Sequence, residues 1–248
     1  MLFTMNGKQI IVKDYTVADD GRLVFTFSGI APQCMGDNIK AELICDDTVC
    51  SVKDGYSIKA NVTSLLSKGV SDELETLIYD MLIYGAASQK YADYKTDELV
   101  TDGGEGLTAS ASIPEKSDTV LTESASADVS FKSAGVLFDY RNRIYVKFRA
   151  SDISDVKVLF GESELVIEEL GNGTYVAYSD HISAKNLSTV YTFTLKVVDA
   201  TVQTLEYSVN SYAFAKYTQF DNSGNPTKMA ELALALYRYG ASAAEYSN

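Results

Sequence analysis

Residue types on which many enzymes and metalloproteins depend are scarce in this chain of 248 residues. It has no tryptophan, one histidine, three cysteines and three prolines. Three cysteines cannot form a closed disulfide framework, because the count is odd. Zinc motifs of the H-E-x-x-H or C-x-x-C kind, a G-x-S-x-G nucleophile elbow and a P-loop are absent from the sequence as well. The sequence therefore predicts no cofactor, no metal and no catalytic residue.

The chain also has fewer basic than acidic residues and lacks long apolar runs. Lys and Arg number 21 against 34 Asp and Glu, so the formal net charge is -13. Binding to nucleic acid or to an anionic membrane surface requires a basic face, which this balance disfavours. No run approaches the roughly 18 consecutive apolar residues of a membrane-spanning helix, and no signal-peptide pattern follows Met1. We predict a globular protein with no nucleic-acid partner and no membrane insertion.

One eight-residue stretch occurs twice in nearly the same spelling. It reads YGAASQKY at 84–91 and YGASAAEY at 239–246. Upstream, DDGRLVFTFSGI at 19–30 aligns without a gap with GNGTYVAYSDHI at 171–182. Because the matching segments follow one another in the same order in both halves, we interpret the chain as an internal duplication.

A strand with alternating apolar residues occurs in each half. In the first half, one face carries Ile39, Ala41, Leu43 and Cys45, and in the second it carries Tyr191, Phe193, Leu195 and Val197. The alignment puts Cys45 over Val197 and Cys50 near Val202. We therefore predict that both cysteines are buried as small apolar side chains. The alternatives are a disulfide between Cys45 and Cys50, across the turn that separates them, or a metal site.

Each half ends in a predicted amphipathic helix that carries the repeated motif. Apolar residues recur at three- and four-residue steps over 74–91 and again over 229–246, which indicates helices of about five turns. Ser71 is the predicted N-cap of the first helix. In the second, Asn225 is the predicted cap, with Pro226 at the first helical position.

Glycine inside these helices calls for a local reason, since it costs about 1 kcal/mol relative to alanine. Gly85 and Gly240 are each followed by alanine and serine. We interpret this patch of small side chains as a docking surface at which another element approaches the helix closely.

The domain organisation predicted from these patterns has three parts. Residues 1–94 form a first repeat, 95–127 a polar linker and 128–248 a second repeat. The second repeat opens with two strands in 129–154, around a turn at DYRNR, that the first repeat lacks. The first copy would need about 30 further residues before Met1, so we expect other domains of a longer parent chain. Alternatively, residues of 96–127 fill the missing strand positions.

From these elements we predict an α+β fold of two related lobes. Each lobe would contain an antiparallel β-sheet or small β-sandwich, packed with a two-helix hairpin.

Candidates for catalysis or metal binding are few. Three acid pairs are of the type that glycosidases use, namely Asp19–Asp20, Asp46–Asp47 and Glu168–Glu169. Aspartate pairs at hairpin turns usually bond to the local backbone, so we do not assign them a catalytic role. His181 has no matched ligand, and DNSGN at 221–225 departs from a calcium loop and is predicted to join two helices.

One basic stretch contrasts with the acidic remainder. RNRIYVKFR at 141–149 carries Arg141, Arg143, Lys147 and Arg149 around Tyr145. Strand alternation would turn Ile144, Val146 and Phe148 inward, and Tyr145, Lys147 and Arg149 outward. An exposed tyrosine among cations is a candidate platform for a sugar or an acidic ligand. The alternative is a solvated strand face that neutralises neighbouring acids.

The segment GIAPQCMGDNIKAEL at 29–43, followed by YSIK and YGAASQKY, resembles an uncharacterised repeat of secreted surface proteins. These belong to anaerobic, polysaccharide-degrading gut bacteria. Both halves match the helix motif, whereas only the first keeps the GIAP…MGD part. The resemblance implies an extracellular or cell-surface location and a non-catalytic module beside glycan-binding or adhesion domains. It supplies no catalytic residues.

Three functions follow as hypotheses. The first is a non-catalytic extracellular module that binds a polysaccharide or another cell-surface component. The second is a structural spacer with no ligand of its own, and the third is a glycoside hydrolase.

Overall fold

Antiparallel sheets followed by a pair of helices recur in both halves of the chain. The computed structural model describes residues 1–104, 107–116, 119–139 and 141–247. The chain divides into two units, Met1–Leu107 and Thr108–Asn248. Each unit is described by itself below.

Among its described residues, the first unit contains six strands in two antiparallel sheets. The strands are β1 (Leu2–Met5), β2 (Lys8–Ile11), β3 (Thr16–Val17), β4 (Leu23–Val24), β5 (Ile39–Cys45) and β6 (Thr48–Tyr56). Their order is β2-β1-β5-β6 in the larger sheet, and β3 pairs with β4 in the smaller one. A 3-10 turn, Pro32–Cys34, precedes β5, and helices α1 (Ile58–Leu66) and α2 (Asp72–Tyr91) follow β6.

The described part of the second unit contains nine strands, also in two antiparallel sheets. They are β7 (Val120–Leu121), β8 (Val129–Phe138), β9 (Asn142–Ala150), β10 (Val156–Phe160), β11 (Ser163–Glu164), β12 (Ile167–Gly171), β13 (Thr174–Tyr178), β14 (Tyr191–Val197) and β15 (Ala200–Tyr207). The sheet orders are β11-β10-β14-β15-β7 and β12-β13-β9-β8. The 3-10 turn Ala184–Asn186 precedes β14, and helices α3 (Val209–Lys216) and α4 (Lys228–Tyr246) close the unit.

The prediction of an α+β chain with antiparallel sheets is confirmed. Both sheets of the second unit bury apolar side chains completely, with Phe148 and Val146 in one sheet and Phe193 and Leu195 in the other. This β-rich arrangement is compatible with a β-sandwich. The two strands predicted within 129–154 are β8 and β9. Tyr140, in the turn predicted between them, lies outside the described residues.

One helix cap agrees with the prediction and the other differs from it. The Ser71 side chain accepts a hydrogen bond from the Leu74 N–H at the start of α2, as predicted. For α4, the predicted cap at Asn225 is wrong, because Thr227 accepts the bond from the Ala230 N–H. Pro226 instead lies before the helix, bridged to Phe220, where its fixed φ suits extended chain.

Gly85 in α2 lies where an added side chain would crowd its neighbours. A Cβ added there would lie 2.9 Å from Val100 Cγ2, 3.1 Å from Met35 Sδ and 3.2 Å from the carbonyl oxygen of Pro32. The 3-10 turn that begins at Pro32 therefore packs directly on the helix backbone.

Gly240 in α4 makes the same kind of contact in the second unit. A Cβ there would lie 2.8 Å from Leu187 Cδ1 and 3.3 Å from the carbonyl oxygen of Ala184, which begins the other 3-10 turn. The predicted close approach to both glycines is confirmed, and the element that approaches is a 3-10 turn each time.

The predicted burial of two cysteines is wrong. Cys45 and Cys50 are both exposed, and neither is in a disulfide. They lie at the far end of the β5–β6 hairpin, whose turn residues Asp46 and Asp47 have positive φ. On the opposite face of this hairpin, Val49 and Val52 are about half exposed as well, so neither face is covered there. Alternation places a side chain on a sheet face, but here that face lacks the cover that makes Leu195 fully buried in the second unit.

The segment predicted to be a linker, 95–127, is divided between the units. Val100 is buried in the core of the first unit. The Gln89 side chain binds the neighbouring backbone, since its Nε2 donates to the Glu98 carbonyl and its Oε1 accepts from the Val100 N–H. Further along, β7 pairs with β15 in the second unit. Glu105, Gly106, Ser117 and Asp118 of this segment lie outside the described residues.

Within residues 1–104, 107–116, 119–139 and 141–247, no helix combines the length and the hydropathy that crossing a membrane requires.

Replacing either motif glycine by alanine should destabilise its unit. We expect Gly85→Ala and Gly240→Ala each to lower the free energy of unfolding by roughly 1–3 kcal/mol, because the added Cβ overpacks the 3-10 turn contact. This outweighs the gain of about 1 kcal/mol that alanine brings in a helix. Urea unfolding followed by circular dichroism measures the change.

Ser64→Ala is the matched control, because Ser64 is exposed on α1. We expect that variant to be as stable as the parent. A glycine variant that is equally stable or more stable would contradict the close contact.

Candidate functional site

The basic stretch predicted as a binding face lies on β9, and its alternation is as predicted. Ile144, Val146 and Phe148 are completely buried. Tyr145 and Lys147 point to the other face and are half-buried, and Arg149 on that same face is exposed. The strand thus separates an apolar side from a side that carries tyrosine and cations.

Tyr145 lies across a glycine of the neighbouring strand. It is paired with Gly135 of β8. A Cβ at position 135 would lie 2.5 Å from the Tyr145 hydroxyl oxygen and 2.6 Å from Cζ. The ring is therefore laid along the sheet in the space that a side chain on β8 would fill, which is how an aromatic residue covers a strand glycine.

A second tyrosine that the sequence analysis did not identify lies beside it. Tyr178 of β13 is paired with Tyr145 across the sheet, with ring centroids 6.5 Å apart in an edge-to-face arrangement. Lys147 Nζ lies 5.5 Å from the Tyr145 ring centroid, and Arg143 Cζ lies 5.1 Å from that of Tyr178. Both are cation–π distances.

Arg143 is fixed from the turn side. Its guanidinium donates to Asp139 Oδ2 at 2.7 Å, and both side chains are largely shielded from water. Its Nε is buried and has no hydrogen-bond partner among the described residues. We call Arg143, Tyr145, Lys147 and Tyr178 the tyrosine patch.

The structure does not bring all five predicted residues into one cluster. Arg143, Tyr145 and Lys147 alternate along β9 and share the tyrosine patch. Arg141 is exposed in the turn before the strand, where its N–H donates to Asp139 Oδ1. Arg149 is paired with Ser130 and Thr174 further along the sheet. At about 3.3 Å per residue, Arg149 Cα lies roughly 20 Å from that of Arg143.

The acid pairs occupy the positions expected for backbone roles. Asp20 in the β3–β4 turn accepts from the backbone and the guanidinium of Arg22. Asp46 and Asp47 adopt left-handed φ values of 49° and 61° in the β5–β6 turn. Glu168 and Glu169 are neighbours on β12, so their side chains leave opposite faces of the sheet.

The residues considered for metal binding are separate or engaged. His181 is exposed between β13 and the following 3-10 turn. In DNSGN, which joins α3 to α4 as predicted, Asp221 Oδ1 accepts from the N–H groups of Ser223 and Asn225. Those bonds lower the pKa of Asp221. In the described part of the chain, no three His, Cys, Asp or Glu side chains come together as a metal site.

A buried carboxylate that the sequence analysis missed lies in the first unit. Asp37 is 4% exposed. Its Oδ2 accepts from Asn6 Nδ2 at 2.6 Å and from the Tyr94 hydroxyl at 2.8 Å, and its Oδ1 accepts from Lys95 Nζ at 2.6 Å. The group ties the β1–β2 turn and the end of α2 to the start of β5. We interpret it as a structural ion pair, since these contacts occupy both oxygens.

The pKa shifts in this cluster also support a structural role. Burial alone would raise the pKa of Asp37, but the hydrogen bonds from Lys95, Asn6 and Tyr94 outweigh it and the pKa is lowered. Burial raises the pKa of the nearby Cys34 thiol to about 11, and its hydrogen bond to Asp37 acts in the same direction. A thiol with so high a pKa is a poor nucleophile at neutral pH.

Asp37→Asn should destabilise the first unit in a pH-dependent way. The asparagine amide has one oxygen that can accept, and its NH2 group would face one of the three donors that Asp37 binds. We therefore expect the free energy of unfolding to fall by roughly 1–3 kcal/mol at pH 7. The pKa of Asp37 is lower in the folded state than in the unfolded state. The stability that its carboxylate contributes to the parent is therefore fully present above about pH 4, and it is lost as pH falls through the folded pKa.

Urea unfolding between neutral and acidic pH measures this, with the exposed Asp14→Asn as control. A difference between Asp37→Asn and the parent that persists undiminished at the lowest pH would contradict the ion-pair account.

Comparison with known proteins adds no relative from which a function could be transferred. No family model matches the chain, and neither a curated protein nor a solved structure matches it.

Proposed function

We propose that this protein is a non-catalytic extracellular module of a larger bacterial surface protein, and that it binds a glycan or another cell-surface component. The tyrosine patch on β9 and β13 is the proposed site, with Arg141 and Arg149 at its two ends.

The single observation that carries the proposal is the pair of tyrosines with cations on one sheet face. Tyr145 lies over Gly135, so its ring is held along this face of the sheet. Aromatic faces bind the apolar face of a sugar ring, while the hydroxyl end supplies a hydrogen bond. Lys147 and Arg149 beside the ring would bind a carboxylate or sulfate of an acidic sugar.

The repeated organisation supports a modular role. In each unit a 3-10 turn, a two-stranded hairpin and two helices follow in the same order. Gly85 and Gly240 receive the 3-10 turn of their own unit in the same way. We propose that the units are two copies of one repeat, each a sheet or small sandwich packed with a helix hairpin. Their resemblance to secreted surface repeats supports an extracellular location and further domains in the parent chain.

A structural spacer is the second candidate, and one specific observation favours it. Both tyrosine rings already have a cation of their own chain within cation–π distance, Lys147 for Tyr145 and Arg143 for Tyr178. These contacts stabilise the sheet face without any ligand.

Retention on insoluble polysaccharides distinguishes the two candidates. The purified chain is incubated with starch, cellulose, xylan and mucin, and the bound fraction is measured against protein concentration. If the tyrosine patch is a glycan site, one polymer retains the protein and Tyr145→Ala weakens retention about tenfold or more, as expected for loss of an aromatic stacking contact.

Two further variants make the result specific. Lys147→Gln keeps the Tyr145 ring on Gly135 and removes only the cation, so it should weaken binding to acidic polymers and spare neutral ones. Tyr246→Ala, at an exposed tyrosine that ends α4, should bind as the parent does. Retention that survives Tyr145→Ala would discard the site, and no retention on any polymer would favour the spacer.

A further inference from the structure

In the first unit, the segment that follows β4 belongs to no sheet. Residues 25–30 continue from a strand that pairs with β3 alone. Within the described chain, no hydrogen bond engages the backbone of residues 25–30. We call this segment the unpaired edge, because backbone groups without partners are a template for the addition of a strand.

The corresponding segment of the second unit is paired. There β13 binds β9 along its length, with Ala177 paired to Val146 and Tyr178 to Tyr145. Beyond the strand, the Ser179 N–H donates to the Ile144 carbonyl at 2.8 Å. By the alignment of the two halves, Phe25 and Phe27 occupy the positions of Ala177 and Ser179.

An apolar cavity opens beside this edge. It has a volume of about 480 Å³ and is lined by Phe3, Phe25, Phe27, Ile39, Ala41 and Tyr56, among others. The rings of Phe3 and Phe27 stack with centroids 5.0 Å apart, so the larger sheet and the unpaired segment form its two walls.

The two short strands before this segment also carry exposed apolar side chains. Val17 is 62% exposed and Leu23 53%. In the second unit, Ile144, Val146 and Phe148 of β9 are buried beside the equivalent segment with no exposure at all. In the second unit, β9 with its alternating apolar residues is thus paired with the equivalent segment, whereas no strand among the described residues of the first unit pairs with residues 25–30.

We propose that the first unit binds an extended strand of a partner polypeptide by strand addition. The incoming strand lies antiparallel to residues 25–30, and its carbonyl groups accept from the N–H groups of Phe25 and Phe27. Its alternate apolar side chains enter the cavity, as those of β9 are buried in the second unit. The comparison of the units rests on the proposed duplication, but the unpaired edge and the cavity do not.

Charge identifies the chemistry of the partner strand. The first unit has nearly twice as many acidic as basic side chains. Asp19 and Asp20 lie in the turn that leads into the unpaired edge. On β9, the positions between the apolar residues carry Arg143, Lys147 and Arg149. The strand that fits best alternates apolar and cationic residues in the same way, because its outward charges complement the acidic unit.

A peptide with the β9 sequence, NRIYVKFRA, is the probe for this site. It is labelled with a fluorophore and titrated with the full 248-residue chain, and anisotropy reports binding. We expect saturable binding in the micromolar range. Two peptides, N-methylated along one edge or along the other, test strand pairing, since methylation of the edge that faces residues 25–30 should weaken binding about tenfold or more.

Variants of the first unit locate the site. Phe27→Glu puts a charge into the cavity, and Ala41→Phe fills it without adding charge, so each should weaken binding about tenfold or more. Phe220→Glu makes the same change at an exposed phenylalanine of the second unit and should bind as the parent does. Circular dichroism of every variant verifies that it is folded.

Other outcomes would overturn the proposal. Binding that survives both Phe27→Glu and Ala41→Phe would place the peptide elsewhere. Equal binding of every N-methylated peptide would make the cavity a site for apolar ligands without strand pairing. A concentration-dependent dimer of the chain alone, abolished by Phe27→Glu, would make a second copy the occupant, and no binding up to about 1 mM peptide would exclude a specific strand site.

Discussion

The contact between a helical glycine and a 3-10 turn is the constraint on which each unit depends most. At Gly85, the turn that begins at Pro32 lies so close to α2 that Val100 and Met35 would meet any added Cβ. Both of those side chains belong to the buried cluster that also contains Leu82. The close approach therefore fixes the loop before β5 and the loop after α2 on the same helix. One turn beyond Gly85, Gln89 binds the backbone of the second loop, and Asp37 then reaches Tyr94 and Lys95.

Local periodicity predicted most of this framework. The three- and four-residue spacing gave both long helices, and the recurrence of glycine within them predicted a close approach before the approaching element was known. The features that sequence reasoning missed depend on distant parts of the chain. Asp37 meets Lys95 from 58 positions away. Cys45 has the alternation of a buried residue, but burial also requires a second layer over that face, which alternation cannot reveal. At α4, the cap is Thr227, two residues beyond the predicted Asn225.

The candidate site was predictable along one strand and not across strands. Alternation assigned Tyr145 and Lys147 to one face of β9 because neighbouring side chains in a strand point to opposite faces. Tyr178 and Gly135 meet Tyr145 through the pairing register of β13 and β8, which bulges and turns determine. The two proposed sites also differ in how their strands are paired. The tyrosine patch lies on a strand with partners on both sides, whereas the edge at residues 25–30 has a free side.

A double-mutant cycle between Gly85 and Val100 tests the glycine contact most directly. The free energies of unfolding of the parent, Gly85→Ala, Val100→Ala and the double variant are measured in urea. If the added Cβ destabilises by meeting Val100, then Gly85→Ala costs much less in the Val100→Ala background, with a coupling energy of about 1 kcal/mol or more. Additive losses, with no coupling, would show that the glycine does not act through this contact and would contradict the account.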